Sequence, residues 1–177
     1  MSATAGLPLT RLGLLAGAGL LWATAAVAGP DDALENKVKA AYLYHLTKFV
    51  SWPAPAGEQL RLCVQGDSQL GALLAELSNR QVNNRPLLID PEHSGDPAQC
   101  QLLFLGSAVR QPADVLARVR SLPVLTVGDS EGFAQRGGVI GFYAESGRIR
   151  LEINPEAARS ANLKISAKLF ELARTVR

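Results

Sequence analysis

Histidine is scarce in this chain, which has two in 177 residues, His45 and His93. Both precede the segment VGDSEGF at residues 127–133, in which the spacing of glycines around Ser130 matches the GxSxG pattern of serine hydrolases. The α/β-hydrolases place their catalytic histidine after the serine, and a serine without a base is a weak nucleophile. The lack of a later histidine argues against hydrolysis, so we interpret the motif as a turn leading into a short helix at residues 131–135.

Neither histidine has a companion at the spacing that metal sites use. His45 falls on an apolar stripe of a predicted helix, and we interpret it as a packed, hydrogen-bonded imidazole. His93 stands alone in a polar loop. Acid pairs such as Glu152 and Glu156 are common on protein surfaces, so we assign them no acid–base role. The sequence therefore predicts no catalytic residue, no metal and no cofactor.

Excess charge of either sign is also missing, because 18 Lys and Arg face 16 Asp and Glu. A near-neutral chain is a poor partner for nucleic acid, whose phosphates demand a basic surface. The Gly137-Gly138 pair lacks the lysine of a Walker motif and the spacing of a dinucleotide-binding loop. Nucleic acid is therefore not expected as a partner.

The N-terminal segment has the composition of a secretory signal. Arg11 is the only charge in residues 1–28, an apolar run covers residues 12–27, and residues 26–28 read AVA. We expect residues 1–28 to be a cleaved signal peptide and residues 29–177 to be one exported domain. An uncleaved membrane anchor is the alternative, although the run is rich in Ala and Gly.

Cysteine occurs twice, as Cys63 and Cys100. In an oxidising compartment such a pair favours a disulfide over a catalytic couple, and two thiols alone leave a zinc site short of ligands. Closing a loop of this span would stabilise the fold by about 4 kcal/mol in the chain-entropy model. We therefore predict a Cys63–Cys100 disulfide.

Hydrophobic periodicity predicts an α/β protein. Two adjoining stripes predict a first helix that ends before Trp52-Pro53: one comprises Val38, Tyr42, His45 and Phe49, and the other Leu43, Leu46 and Val50. Further elements are expected as strands at 60–64, 86–89, 102–105, 124–127, 139–143 and 149–153, with helices at 70–77, 112–119 and from Asn154 onward. A final helix should carry Ile165, Leu169, Leu172 and Val176. We predict a single compact α/β domain with a mixed, mostly parallel sheet flanked by helices.

Three separated strings give the chain a resemblance to a known family. They are KVKAAYLYHLTKFVSWP at 37–53, GGVIGFY at 137–143 and LEINPEAARSANLKISAKLFELA at 151–173. Together they resemble the YfiR-like family of periplasmic proteins, which carries a structural disulfide at the positions of Cys63 and Cys100. The chain departs from the family pattern at His45 and Leu46, where Asn and Phe are frequent, and it lacks a second cysteine pair.

The resemblance implies a periplasmic homodimer that binds the periplasmic sensor domain of an inner-membrane diguanylate cyclase and holds the enzyme inactive. Release would raise cyclic di-GMP and favour biofilm formation. An outer-membrane lipoprotein is a further implied partner. Two alternatives remain: a periplasmic module that binds a small ligand at the strand ends, and a serine hydrolase at Ser130.

Polar positions of the first helix and of the C-terminal segment are our candidates for the partner-binding surface. Polar groups beside aromatic side chains form a plausible interface pattern. Local interpretations compete with this role, since Asn154 has the position of a helix N-cap and Glu152 that of a solvated strand residue. The candidate residues are Tyr44, Lys48, Glu152, Asn154, Arg159 and Lys164.

Overall fold

The computed structural model describes residues 30–54 and 57–176, so the predicted signal peptide lies outside the described residues. The described helices are α1 (Pro30–Phe49), α2 (Ser68–Ala75), α3 (Pro112–Val119), α4 (Pro155–Ser160) and α5 (Ala167–Glu171). The strands are β1 (Val50–Ser51), β2 (Leu60–Gln65), β3 (Gln81–Val82), β4 (Arg85–Asp90), β5 (Leu102–Leu105), β6 (Leu125–Gly128), β7 (Ile140–Glu145), β8 (Arg148–Ile153), β9 (Lys164–Ile165) and β10 (Ala173–Thr175).

Eight strands form one sheet in the order β10-β8-β7-β6-β5-β2-β4-β3. The central neighbours from β4 to β7 pair in parallel, while β3 and the β7–β8 hairpin are antiparallel. The hairpin turn places Ser146 and Gly147 at positive φ, which suits a two-residue connection. The predicted mixed, mostly parallel sheet is confirmed.

Alternate residues of the central strands pack into two hydrophobic cores on opposite faces of the sheet. The larger core takes Leu62, Phe104 and Val127 together with residues of α1, α2, α4 and α5. The smaller core takes Cys63, Leu103 and Leu105 against Leu116 and Val119 of α3. A sheet covered on both faces explains why these strands are continuous apolar runs in the sequence.

Helix α1 buries one of its two predicted stripes almost completely and the other only in part, since Tyr42 and Phe49 are half-buried against the larger core. Leu43, Leu46 and Val50 are almost fully buried, whereas His45 is exposed and lies edge-on to the Tyr44 ring at 5.7 Å between centroids. The expectation of a packed, hydrogen-bonded His45 is therefore wrong. His45 is two positions from Leu43, so its side chain lies on the side of the helix that points away from the sheet.

One predicted helix is absent from the described part of the chain, and another is much shorter than predicted. Residues 131–137 form hydrogen-bonded turns with Gly132 at φ +63° and Gly137 at φ +102°, so residues 131–135 are not a helix. The predicted final helix is divided into β9, α5 and β10. The backbone of β10 pairs in parallel with β8, and this non-local ladder overrides the helical spacing of Ile165, Leu169, Leu172 and Val176.

The structure contains the Cys63–Cys100 disulfide, which joins β2 to the short turn before β5 across 37 residues of sequence. It lies in the smaller core, and both cysteines are buried. None of the described helices combines the length and hydropathy needed to cross a membrane.

Candidate functional site

The C-terminal end of α1 and the segment after α4 meet at a small second sheet. Val50 and Ser51 of β1 pair antiparallel with Ile165 and Lys164 of β9. This ladder brings the last turn of α1 beside Lys164, although the two segments are more than 100 residues apart in sequence.

A cation–aromatic pair occupies the last two turns of α1. The Lys48 ammonium lies 4.3 Å from the centroid of the Tyr44 ring. Lys48 and Lys164 are exposed, and Tyr44 is half-buried with its ring packed against the larger core. Three of the six candidate residues, Tyr44, Lys48 and Lys164, thus lie on the two segments that this ladder joins, and we call them together the α1–β9 surface.

Glu152 and Asn154 have structural partners at the end of β8. Glu152 is only 3% exposed, and its carboxylate accepts from Gln135 Nε2 at 2.9 Å and from Arg174 Nη2 at 2.7 Å. Asn154 Oδ1 accepts from Ala157 N at 2.9 Å as the N-cap of α4, and its Nδ2 donates to the carbonyl of Ala134 at 2.8 Å. The interpretation of Glu152 as a solvated strand residue is wrong, whereas the N-cap at Asn154 is confirmed.

Arg159 is highly exposed, with 73% of its side chain accessible. It lies on α4 and forms an ion pair with Glu156 at 2.6 Å, one helical turn before it. Such an exposed pair contributes little to stability, so the guanidinium is available to a partner at small cost.

The Ser130 hydroxyl is engaged by an arginine. Arg136 Nη2 donates to Ser130 Oγ at 2.9 Å, and Arg136 Nη1 also donates to the carbonyl of Glu131. Within residues 30–54 and 57–176, neither histidine forms a hydrogen bond with Ser130, since His93 binds Asp90 and His45 contacts Tyr44. The arrangement is that of a turn held by Arg136, with no imidazole placed to activate the serine.

A polar crevice lies at the carboxyl ends of the parallel strands. The chain passes from β2 to β4 on one side and returns to β5 on the other side of β2, which makes this edge a topological switch point. Open α/β sheets bind ligands at such points. The first GDS segment of the sequence, 66–68 after β2, lines it together with Asp129 of the second, and α1 covers the crevice with Glu35, Asn36 and Lys39. Its volume is about 390 Å³.

Lys39 is the central charge of this crevice. Its Nζ lies 2.6 Å from Asp129 Oδ2 and 2.6 Å from Glu35 Oε1, and only 8% of its side chain is exposed. Burial lowers the pKa of Lys39, but the hydrogen bonds and charges of Asp129 and Glu35 outweigh burial and raise the pKa above its ordinary value. The second carboxylate oxygen of Asp129, Oδ1, is buried and has no hydrogen-bond partner among the described residues.

Lys39 is absent from the residues predicted to be functional, although the sequence contains a signal for it. Lys39 precedes Leu43, Leu46 and Val50 at spacings of four, three and four, so it continues the buried stripe of α1. A lysine that continues an apolar stripe is expected to be buried, and a buried ammonium group requires an anionic partner because an unpaired buried charge is costly. That anion is Asp129, 90 residues later in the chain.

The interpretation of His93 as an isolated loop residue is also wrong. His93 is 6% exposed, its Nδ1 lies 2.8 Å from Asp90 Oδ2, and it lies beside the sulfurs of Cys63 and Cys100. The turn after β4 folds back over β2, where His93 N donates to the carbonyl of Val64 at 2.8 Å. This return of the chain is non-local and leaves no periodic signal in the sequence.

These features define an open-sheet α/β domain with a polar crevice at its switch point, a disulfide on one face and a basic aromatic surface at the end of α1. The model of the YfiR/HmsC-like family matches residues 36–174. The chain belongs to that family, which confirms the resemblance drawn from the three strings. A search of curated proteins finds no match to this sequence.

Proposed function

We propose that the protein is a periplasmic regulator that binds the periplasmic sensor domain of an inner-membrane diguanylate cyclase and holds the enzyme inactive. Membership of the YfiR/HmsC-like family over residues 36–174 is the observation that carries this proposal. Residues 1–28 then act as a cleaved signal peptide and residues 29–177 as the periplasmic domain. Release of the regulator raises cyclic di-GMP and favours biofilm formation.

Repression of this kind requires binding and no chemistry. A regulator that prefers the inactive conformation of its partner shifts the equilibrium by its difference in affinity for the two states. Moving a cyclase from about 1% to about 99% inactive requires a preference of about 10⁴-fold. A rigid domain suits this task, because little affinity is lost in ordering the surface that binds.

We assign the contact with the sensor domain to the α1–β9 surface and to Arg159. An aromatic ring beside exposed cations is a frequent composition of interface hot spots, and Tyr44 with Lys48 provides it. Glu152 and Asn154 are held by internal hydrogen bonds, so in this proposal they shape the neighbouring surface from within.

Co-purification of the periplasmic domain with the sensor domain of a cyclase encoded nearby tests the proposal. Each of Tyr44→Ala, Lys48→Ala and Lys164→Ala should weaken capture by roughly 30-fold if it removes a hot spot of about 2 kcal/mol, and cellular cyclic di-GMP should rise. Arg120→Ala is the matched control, because Arg120 is exposed at the end of α3 on the opposite face. If all three variants fold and bind like the parent, the surface lies elsewhere; if the parent captures no cyclase, the proposed function fails.

We further propose a homodimer and an outer-membrane lipoprotein as a second partner. Sedimentation of the purified domain should give twice the monomer mass. A lipoprotein that relieves repression should compete with the sensor domain, so its addition should displace the captured cyclase fragment. A monomer at all concentrations, or simultaneous binding of both partners without displacement, contradicts these two proposals respectively.

The crevice supports a second candidate function, the binding of a small polar ligand. The favourable observation is a cavity of about 390 Å³ at the switch point that contains the unpartnered Asp129 Oδ1. A thermal-shift screen of metabolites should then find a compound that raises the melting temperature. If this compound no longer raises the melting temperature of Asp129→Asn but still raises that of the α3 control Arg120→Ala, the ligand binds in the crevice.

A further inference from the structure

A histidine and the disulfide form a compact group of metal-ligating residues outside the surfaces described above. The sulfur atoms of Cys63 and Cys100 and a ring nitrogen of His93 all lie within 4.8 Å of one another. All three residues are buried. Tetrahedral zinc with Zn–S distances of about 2.3 Å and Zn–N of about 2.0 Å places its ligand atoms about 3.5–3.8 Å apart, so small side-chain movements would suffice.

The two nitrogens of His93 have different environments. Nδ1 lies 2.8 Å from the Asp90 carboxylate; an ionised carboxylate only accepts, so Nδ1 of the neutral ring carries the proton and Nε2 the lone pair. Nε2 is buried and has no hydrogen-bond partner among the described residues. A carboxylate that orients one ring nitrogen and leaves the other free is the arrangement found behind metal-binding histidines.

We propose that reduction of the Cys63–Cys100 disulfide creates a site for Zn²⁺ or a similar thiophilic divalent ion, bound by the two thiolates and His93. Asp90 positions the imidazole, and a water or an external ligand takes the fourth place. The site exists only in the reduced protein, because the sulfurs of a disulfide have no thiolate charge to offer. Metal binding therefore reports the redox state of the pair, independently of whether the protein binds a cyclase.

The chemistry balances with a dithiol reductant. The dithiol transfers two electrons and two protons to the S–S bond, which gives two thiols and leaves the reductant as its own cyclic disulfide. Binding of the metal ion then releases the two thiol protons, and the two thiolates balance the two positive charges of the ion. The imidazole of His93 binds as a neutral ligand.

An open cleft gives a route to the buried group. His93 lines a cavity of about 340 Å³ with Glu92, Pro91 and the start of α2. The sulfurs lie behind it against apolar residues of the smaller core. A dry environment strengthens the attraction between two thiolates and a dication.

The test uses the mature protein reduced anaerobically with dithiothreitol and freed of reductant, titrated with Co²⁺ and Zn²⁺. We expect one Co²⁺ per chain with the absorption of thiolate-to-cobalt charge transfer, displacement by Zn²⁺, and no such band in the oxidised protein. His93→Gln should lower the affinity by about 100-fold or more, and Asp90→Asn by about tenfold. His45→Gln is the matched control, because His45 is exposed and should leave the affinity unchanged.

Folding provides the second measurement. Zn²⁺ should raise the melting temperature of the reduced protein and leave that of the oxidised protein unchanged. If reduction unfolds the chain, Zn²⁺ should restore the native circular dichroism spectrum, since the free energy of binding is then free energy of folding. A reduced chain that shows no charge-transfer band, a reduced chain that Zn²⁺ neither stabilises nor refolds, or equal affinity in His93→Gln overturns the proposal.

Discussion

At the residue scale, Lys39 connects helix α1 to the sheet through ion pairs that its position in the sequence does not reveal. It neutralises Asp129 after β6 and Glu35 on its own helix, and its side chain is 8% exposed. A buried ion pair adds little net stability, but removal of one partner leaves the other charge desolvated. Lys39 therefore ties α1 to the carboxyl end of the sheet.

Replacement of this lysine should be costly. We expect Lys39→Met to lower the free energy of unfolding by about 3 kcal/mol, because Asp129 would lose its counter-ion. Urea unfolding measures the change, and Lys37→Met, at an exposed position of the same helix, should stay within about 0.5 kcal/mol of the parent. Addition of Asp129→Leu to Lys39→Met should recover part of the loss; a double variant less stable than Lys39→Met contradicts the pairing.

The same pair makes stability depend on alkaline pH. The pKa of Lys39 is raised above its ordinary value of 10.5, with burial opposing the shift and Asp129 and Glu35 causing it. A group whose pKa is higher in the folded state contributes stability that is fully present below pH 10.5 and is lost as the pH rises through the folded pKa. Unfolding curves should show the parent losing stability faster than Lys39→Met above that pH. Parallel curves would contradict the assignment.

Ser130 should be dispensable. Its hydroxyl accepts one hydrogen bond from an exposed arginine, so we expect Ser130→Ala to change stability by no more than about 0.5 kcal/mol. Capture of the cyclase sensor domain should stay at the parent level, and neither protein should hydrolyse ester substrates. Ester turnover in the parent that disappears in a folded Ser130→Ala protein would restore the hydrolase alternative.

At the scale of elements, α2 lies unusually close to the turn that follows β4. A Cβ added at Gly71 would overlap the backbone carbonyl of Pro91, and Pro91 leads directly to His93. The absence of a side chain at Gly71 is therefore a packing requirement for the helix and for the position of His93.

We expect Gly71→Ala to destabilise the domain by about 1–3 kcal/mol, because backbone atoms of two elements must move apart. Gly141→Ala is a matched control, since a Cβ there would meet its neighbours at 3.4 Å or more and a strand glycine gains from substitution by alanine. Thermal unfolding of the two variants should separate them. Equal melting temperatures would show that α2 can shift without cost.

The start of α4 depends on Asn154. Asn154→Ala removes both the cap of α4 and the bond to Ala134, so we expect a loss of about 1–2 kcal/mol in urea unfolding. Asn154→Ser keeps a capping oxygen and loses the donor to Ala134, so its loss should be smaller. If Asn154→Ser costs as much as alanine, the bond to Ala134 and not the cap stabilises this region.

At the scale of the whole molecule, the disulfide braces the smaller of the two cores. Cys63 and Cys100 pack with Leu103, Leu116 and Val119, and this core holds α3 to one face of the sheet. The proposed partner surface lies at the end of α1, which packs against the larger core. Loss of the disulfide should therefore affect stability first and binding only through the rigidity of the domain.

We expect reduction in the presence of a chelator to lower the free energy of unfolding by about 4 kcal/mol for a closed loop of this length. Capture of the sensor domain should weaken as well. The double variant Cys63→Ser/Cys100→Ser should reproduce the loss without reductant. Thiols that react fully with an alkylating reagent in the untreated, denatured protein would show that the disulfide does not form.

Local signals in the sequence determined the α/β class, the helix α1, the strands β7 and β8 and the cap at Asn154. Hydrophobic periodicity, turn residues and capping residues act over a few positions, so one segment contains all the information they need. The disulfide was predicted from the expected export of the chain and the count of two cysteines. Three of the partner-surface candidates, Tyr44, Lys48 and Lys164, belong to two segments that the β1–β9 ladder joins, and no local pattern in the sequence indicates this ladder.

Only the tertiary structure decided which residues of these elements are buried and what they contact. Lys39 can be buried because its charge is paired with the carboxylate of Asp129, which lies 90 residues later in the chain. His93 is buried because the turn after β4 folds over β2. The spacing of apolar residues after Ile165 is helical, but residues 173–175 form β10 because they pair with β8. In each case the deciding interaction joins segments distant in sequence, and its free energy outweighs the smaller preferences that periodicity records.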